Sequence, residues 1–537
     1  MSSFLSGIRG AHNTGVPGSE AKREVFASYK GKKVTRCLRY LACGASVSLA
    51  APAVSAYPIL FYSDLDSGPV GSYVTVWGKG FGTTPAVVKL GGAAVMGTDI
   101  RSWSDTRVEF RVPAYAGNGI TLANTVGQVS NGLSFTTRSG RVFYVAQAKG
   151  SNTNNGLGDT PQAGGVGPWQ DLSKILANVR AGDVVYVRNG TYTTILNSTY
   201  KTTFHIQPAD SGSVGFPKAL VGYPGERPVI GNSSNSHGIF IKRDTHDWTI
   251  AKLEFKASSA AIHMQGSGNV RIRLVGNEAG GIPSSYGTIG LKACTDCKVL
   301  GNHVYNSGKA GNKLAHLIYY GGYGVGANVE IAWNLLHDEK GGRGIQIYGH
   351  TDSDRLSGLS IHDNIVYNCP CDGILVGASD AAYKPWISDA AVYNNIVYNT
   401  GGGIRIDNPG VAARVLHNTV HKNSTSLKLE AAKSAEVRNN ISSLPTKSHI
   451  SSAMVGSLSL SHNGYQGTQA APSQDTNPTK GDPLFTNASG GDFSLKSTSP
   501  FMNKGKVLSP VLPKVSVPTD PVPDLGQMQW MVGTVPH

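Results

Sequence analysis

Ile361-His362-Asp363-Asn364-Ile365-Val366-Tyr367-Asn368 is followed 31 residues later by Val392-Tyr393-Asn394-Asn395-Ile396-Val397-Tyr398-Asn399. The shared phrase is an apolar residue, two variable positions and an Asn. Working outward, it recurs at Asn277, Asn302, Asn334, Asn364, Asn395, Asn418, Asn440 and Asn463, with spacings of 25, 32, 30, 31, 23, 22 and 23 residues. Strand-type residues around a fixed Asn, repeated at such intervals, predict a coiled parallel β-solenoid. Each coil gives short strands to parallel sheets, and the Asn residues stack at one corner. A rod of this kind offers a long groove suited to an extended polymer.

The chain has 537 residues, too many for one compact core, so more than one domain is expected. Charged residues are 15% and glycines number 67, a composition of short strands and tight turns rather than long helices. Net charge is +14, of which residues 1–56 carry +6. Lys32, Lys33, Arg36 and Arg39 precede an apolar run from Leu41 to Val54, and Val54-Ser55-Ala56 supplies small residues for cleavage. Residues 1–56 therefore read as an export segment cut near Ala56, giving a secreted or periplasmic protein. The apolar run is too short to span a bilayer, so no membrane insertion is expected. A basic exported rod suits an anionic polysaccharide partner. No nucleic-acid partner is expected, and the chain is read as a monomer.

Residues 57–138 alternate in short runs such as Tyr73-Val74-Thr75-Val76-Trp77 and Arg107-Val108-Glu109-Phe110-Arg111-Val112, a sandwich pattern. Ser67-Gly68-Pro69-Val70-Gly71, Gly80-Phe81-Gly82 and Trp103-Ser104-Asp105-Thr106 give this stretch a form that resembles the IPT/TIG immunoglobulin-like domain. Such a resemblance implies a spacer or binding module. Further on stand a short helix over Leu172–Val179, Ala181-Gly182-Asp183-Val184-Val185-Tyr186-Val187 and Gly190-Thr191-Tyr192. Gly481-Asp482-Pro483-Leu484-Phe485 and Asp492-Phe493-Ser494-Leu495 stand near the other end. Residues 141–510 thus resemble right-handed β-helix polysaccharide lyases, the pectin lyase-like superfamily. The resemblance implies an N-terminal cap, a right-handed parallel β-helix and a closing segment; residues 511–537 are left as a tail. It says little about the reaction, because that superfamily holds lyases, hydrolases, epimerases and non-catalytic spikes.

Four cysteines follow the export segment, Cys294-x-x-Cys297 and Cys369-Pro-Cys371. The pairs are some three coils apart at about 4.8 Å per coil, which argues against a bridge or a zinc site joining them. Local bridges or free thiols remain.

A second phrase marks where chemistry could sit: Arg343-Gly344-Ile345-Gln346-Ile347-Tyr348, Asp372-Gly373-Ile374-Leu375-Val376-Gly377 and Gly402-Gly403-Ile404-Arg405-Ile406-Asp407. Aligned without gaps to Ala315–Gly321, it gives three outward rows by strand alternation. One is His316, Gly344, Gly373 and Gly403, a lane free of side chains with His316 at its end. The others are Ile318, Gln346, Leu375, Arg405 and Tyr320, Tyr348, Gly377, Asp407. The long coils add loops carrying Tyr323, His350, Tyr383, Lys384 and Trp386. Eliminative cleavage of a uronate needs a cation for the carboxylate, a base and an acid. Candidate catalytic residues are accordingly His316, Tyr320, His337, Arg343, Tyr348 and His350. Tyr323, Gln346, Lys384, Trp386, Arg405 and Asp407 are candidates for substrate binding. Hydrolysis needs two carboxyl groups at a set separation, and no paired-Asp motif of the pectin-hydrolase kind is present. The reading is an acidic-polysaccharide lyase. A hydrolase on the same fold and a non-catalytic glycan-binding protein are the alternatives. No cofactor is assigned; Asp352, Asp354 and nearby carbonyls could build a Ca²⁺ site, without a recognisable loop motif, and a metal in place of Arg at the carboxylate is left open.

Overall fold

A computed structural model of the chain describes residues 57–378, 384–508 and 524–526. Residues 1–56, where an export segment is expected, Tyr383 and all but three of residues 511–537 lie outside these. The protein is almost wholly β, and the bulk of it is a right-handed parallel β-helix. Three long parallel sheets run its length among the described residues. Sheet I has 14 strands, sheet II has 12 and sheet III has 10.

Stacked apolar rows fill the inside, one from each sheet. Ile331, Ile361, Val392 and Val415 align in sheet I. Leu336, Val366, Val397 and Val420 align in sheet II. Ile345, Ile374, Ile404 and Leu427 align in sheet III. All twelve are buried. Each row is the in-register side of a parallel ladder, where like residues stack on like at one position per coil.

The asparagines stack at the corner between sheets I and II. Asn364 Nδ2 donates to Asn395 Oδ1 and to the Ile331 carbonyl, both at 2.9 Å. Its Oδ1 in turn accepts from the backbone and side-chain amides of Asn334, at 3.1 and 2.9 Å. The same exchange runs from Asn277 to Asn463. It ends on a carboxylate: Asp475 accepts from Asn463 Nδ2 at 3.0 Å. The residue before each of these asparagines is left-handed, including Trp333 (φ 56°), Asp363 (52°) and His417 (53°). L-residues resist that conformation; the ladder holds the corner there by satisfying every amide around it.

Strands Ile59–Ser63, Tyr73–Lys79, Arg107–Arg111 and Ile100–Trp103 form one antiparallel sheet, and Ala93–Ala94, Val87–Leu90 and Ile120–Ala123 another. Together they make a small β-sandwich that lies against sheet I. Val184, Tyr186, Ala219, Val221, Ala251, Val275, Leu300 and Ala332 of the β-helix are buried in one apolar cluster with the sandwich core. The contact is also ionic. Lys252 Nζ reaches Glu109 at 2.9 Å, Thr75 Oγ1 at 2.8 Å and Asp64 at 3.4 Å, all buried. Burial works against ionisation of Glu109, yet Lys252 and Arg107 hold it down at about 2.

The helix expected over Leu172–Val179 forms as a 3-10 turn at Leu172–Lys174 and an α-turn at Ile175–Asn178. Cys294, Cys297, Cys369 and Cys371 are free thiols, the first three buried. No helix among the described residues is long and apolar enough to cross a membrane.

Candidate functional site

The outer face of sheet III carries a set of polar and aromatic side chains from successive coils. Its true register differs by one residue from the gapless alignment. His316 pairs with Arg343, Tyr319 with Gln346 and Gly321 with Tyr348. The first outward row is therefore Gly287, His316, Arg343 and the adjacent coil's Asp372, and the middle row is His263, Gly290, Tyr319, Gln346, Leu375 and Arg405.

The glycine lane is not a groove. Gly344, Gly373 and Gly403 are buried, and a Cβ on them would strike Val366, Val397 and Val420 of sheet II. The chain turns its corner at this position, so two consecutive residues point inward and strict alternation fails. Tyr320 is corrected by the register shift: it pairs with Ile347 and lies fully in the core, its hydroxyl donating to the Cys294 carbonyl at 3.0 Å. His337 also leaves the set. It belongs to sheet II, stacked on Tyr367 with ring centres 4.7 Å apart and 2.9 Å from His303 through the Nε2 atoms.

The middle row has a notch where Gly290, one coil before His316, brings no side chain; the glycine itself is buried, and a Cβ there would be in ordinary contact, 3.7 Å from His263 Nδ1. His263 flanks it on one side and Tyr319 on the other, two coils apart and so separated by about 10 Å. Lys292 stands at its edge. Its Nζ lies 4.8 Å from the centre of the Tyr319 ring and 4.5 Å from that of Tyr323, within cation–π range. Burial pushes Lys292 down to about 8.

Tyr319 shares a 2.5 Å hydrogen bond with His350 Nε2. Burial, with Tyr323 and Tyr348 nearby, raises the Tyr319 phenol, so it stays protonated. Burial and the Lys292 charge push His350 down to about 4. Tyr323 stacks on His350 at 4.0 Å, and Tyr348 lies 4.8 Å away. One buried carboxylate sets this cluster: Asp354 accepts the backbone amides of Tyr323, Gly324, His350 and Thr351 at 2.7–3.0 Å. Both its oxygens are thus occupied by amides, and Asp352 accepts the Lys384 amide at 2.6 Å. These carboxylates organise loops and do not fit a calcium ion.

His316 is buried, and burial beside Arg343 lowers it to about 3. Arg343 bonds Gln346 at 2.9 Å and Asp372 at 3.1 Å. Arg405 is matched by two carboxylates, Asp407 at 2.7 Å and Glu430 at 2.9 Å, which leaves no net positive charge there for an anion. Trp386 belongs to sheet I, with Arg355 and Lys433 over its ring at 5.8 and 5.3 Å, and Lys384 is exposed beside it. Neither joins the cluster around Gly290.

The site thus holds together His316, Arg343, Gln346, Tyr323, Tyr348 and His350. The sequence reading missed Gly290, Lys292, Tyr319 and His263. Gly287-Thr288-Ile289-Gly290-Leu291-Lys292 is a further copy of the strand phrase, and aligning it would have exposed Lys292.

Residues 237–442 match the family model described as "Right handed beta helix region". The solved pectate lyase Pel9A superposes on 72% of this chain and 96% of its own with a TM-score of 0.50 at 16% identity. Pectate lyase L of Paenibacillus polymyxa (strain SC2) is 28% identical over 152 residues, 26% of this chain and 32% of that one. A cyclomaltodextrin glucanotransferase of Niallia circulans is 36% identical over 93 residues, 17% of this chain and 13% of that one. The chain spans about an eighth of the length of that transferase and a third of that lyase. The chain folds as a right-handed parallel β-helix, the fold it shares with that solved pectate lyase.

Proposed function

We propose that the protein is an exported polysaccharide lyase that cleaves an acidic, uronate-containing chain by β-elimination on the face of sheet III. The observation that carries this reading is Lys292, brought to about 8 by burial and set beside the Gly290 notch without a carboxylate partner among the described residues. A lysine near neutrality in a cleft is equipped as a base. The uronate ring lies over Gly290. Neutral Lys292 takes the proton next to the carboxylate. The electron pair forms the ring double bond and expels the glycosidic oxygen, which needs a proton. Tyr319 is protonated, lies beside Lys292 at the notch, hydrogen-bonds His350 and supplies that proton. Arg343, neighbouring His316 in the next coil, offers cationic stabilisation for the carboxylate, tempered by Asp372.

One arrangement favours hydrolysis as a second reading. Asp407 and Glu430 share Arg405, and burial, with Glu430 opposing Arg405, raises Asp407. A pair of neighbouring carboxyl groups is what hydrolysis requires. Incubation with polygalacturonate, alginate and other uronate polymers separates the readings. The lyase yields ultraviolet absorbance from a conjugated double bond, lost in Lys292→Met. New reducing ends without absorbance, lost in Asp407→Asn, establish the hydrolase. Retained absorbance in Lys292→Met removes Lys292 as the base.

A further inference from the structure

We propose that the cleft between the sandwich and sheet I is a second carbohydrate-binding site, one that holds the end of a neutral pyranose chain. It lies on a different face from Lys292 and does not depend on the lyase reading.

The cleft has a volume of 350 Å³, at the small end of ligand pockets, which run from about 300 to 1,000 Å³. That suits the end of a chain rather than its length. One wall is an aromatic shelf built from both domains. Phe61 of the sandwich and Trp333 of the β-helix stack with ring centres 6.1 Å apart and planes 13° apart, and both remain half-buried. Flat rings of this kind present a surface to the C–H face of a sugar.

The polar wall is balanced. Arg273 faces Asp66 at 3.3 Å, Lys298 faces Glu330 at 3.3 Å, and His362 bonds Asp363 at 2.6 Å. Each cation has its carboxylate, so an anionic ligand gains no net attraction. A hydroxyl donates and accepts at once and can use both members of such a pair. Arg273 lines the cleft, and its Nη2 donates to the Ser63 carbonyl at 2.9 Å, which fixes the guanidinium in the wall.

The geometry has a use. A site fixed to one face by the buried Lys252 contacts can hold a polymer surface while sheet III works on a neighbouring chain. The sandwich is then a binding element locked in place, not a loose spacer.

Calorimetry on the full chain tests this with cellohexaose, xylohexaose and maltohexaose against hexagalacturonate. The expected result is that at least one neutral hexaose binds and that Trp333→Ala and Phe61→Ala weaken it tenfold or more. Ser134→Arg, an exposed rim position, should do the same without touching the core. Lys292→Met should bind the neutral hexaose as the native chain does, while turnover of a uronate polymer is unchanged in Phe61→Ala and Ser134→Arg. Failure of every neutral hexaose to bind overturns the proposal. So does binding that survives both Trp333→Ala and Ser134→Arg, or that disappears in Lys292→Met. Absence of turnover on every uronate polymer would sink the lyase reading and leave the hexaose result standing.

Discussion

The Lys292 ammonium lies 4.8 Å from the centre of the Tyr319 ring, one coil away, and is pushed down to about 8 by burial. Under the lyase reading its neutral form is the working form. The rate should therefore rise with pH and reach half its plateau near 8. Lys292→Arg keeps the charge but cannot give up its proton at these pH values. Turnover should fall about 10²- to 10⁴-fold, the usual worth of a general base, and the limb near 8 should vanish. A pH–rate profile that keeps this limb in the variant excludes the assignment.

Gly290 tests the notch itself. The backbone there accepts a Cβ without collision, 3.7 Å from His263 Nδ1, and the melting temperature of Gly290→Leu checks that it folds. Its side chain projects over the groove between His263 and Tyr319. kcat/KM on a uronate polymer should drop at least about tenfold, the loss expected when an obstructing group costs roughly 1.4 kcal/mol of transition-state binding. Full activity in a folded Gly290→Leu places the substrate elsewhere.

The asparagine ladder carries a stability prediction. Asn364→Ala orphans the two amides of Asn334, the Ile331 carbonyl and one bond to Asn395 in a buried corner. Each unsatisfied buried group costs about 1–3 kcal/mol. Urea unfolding should show a loss of at least about 3 kcal/mol. A loss below 1 kcal/mol, on the order of a surface change, means that the corner is held by something other than the ladder.

Lys252 locks the two domains. Replacing it with Met strands Asp64 in the interface without its cation and leaves Glu109 to Arg107 alone. Breaking a buried pair in this way costs about 3–5 kcal/mol. The expected outcome is a lower melting temperature and faster proteolysis between the sandwich and the β-helix. An unchanged melt would show that the apolar contact alone suffices.

Glu339 should make stability depend on pH. Burial raises it from 4.5 to about 7, against the Gly341 and Gly342 amides that bond its carboxylate. The fold favours its protonated form. That contribution is whole below pH 4.5 and is lost as pH rises through 7. Melting temperature should fall from pH 6 to 8 in the native chain, and the fall should shrink in Glu339→Gln. Equal slopes in both would assign the pH dependence to another group.

Much of the fold is legible in the chain because a parallel solenoid repeats one environment per coil. Asn364 and Asn395 sit in the same phrase for the same reason, and the inward rows of Ile345, Ile374 and Ile404 follow from it. The site was less legible. Ile318 and Gln346 looked equivalent by gapless alignment, yet Gln346 pairs with Tyr319. A shift of one residue sends every side chain to the other face, which is how Tyr320 looked outward and Tyr319 inward.

The sequence by itself determined the periodic part of this protein: parallel coils, an asparagine corner and an apolar interior, each enforced by local repetition of residue type. Only the tertiary structure decided which residues meet. Gly344 turns a corner, so it fills the core and not a groove. Lys292, Tyr319 and His350 come from three different coils, and Phe61 reaches Trp333 across 272 positions. Side-chain pKa values, open notches and interdomain clefts depend on what is packed against a residue in space, and spacing along the chain does not encode that for groups that do not repeat.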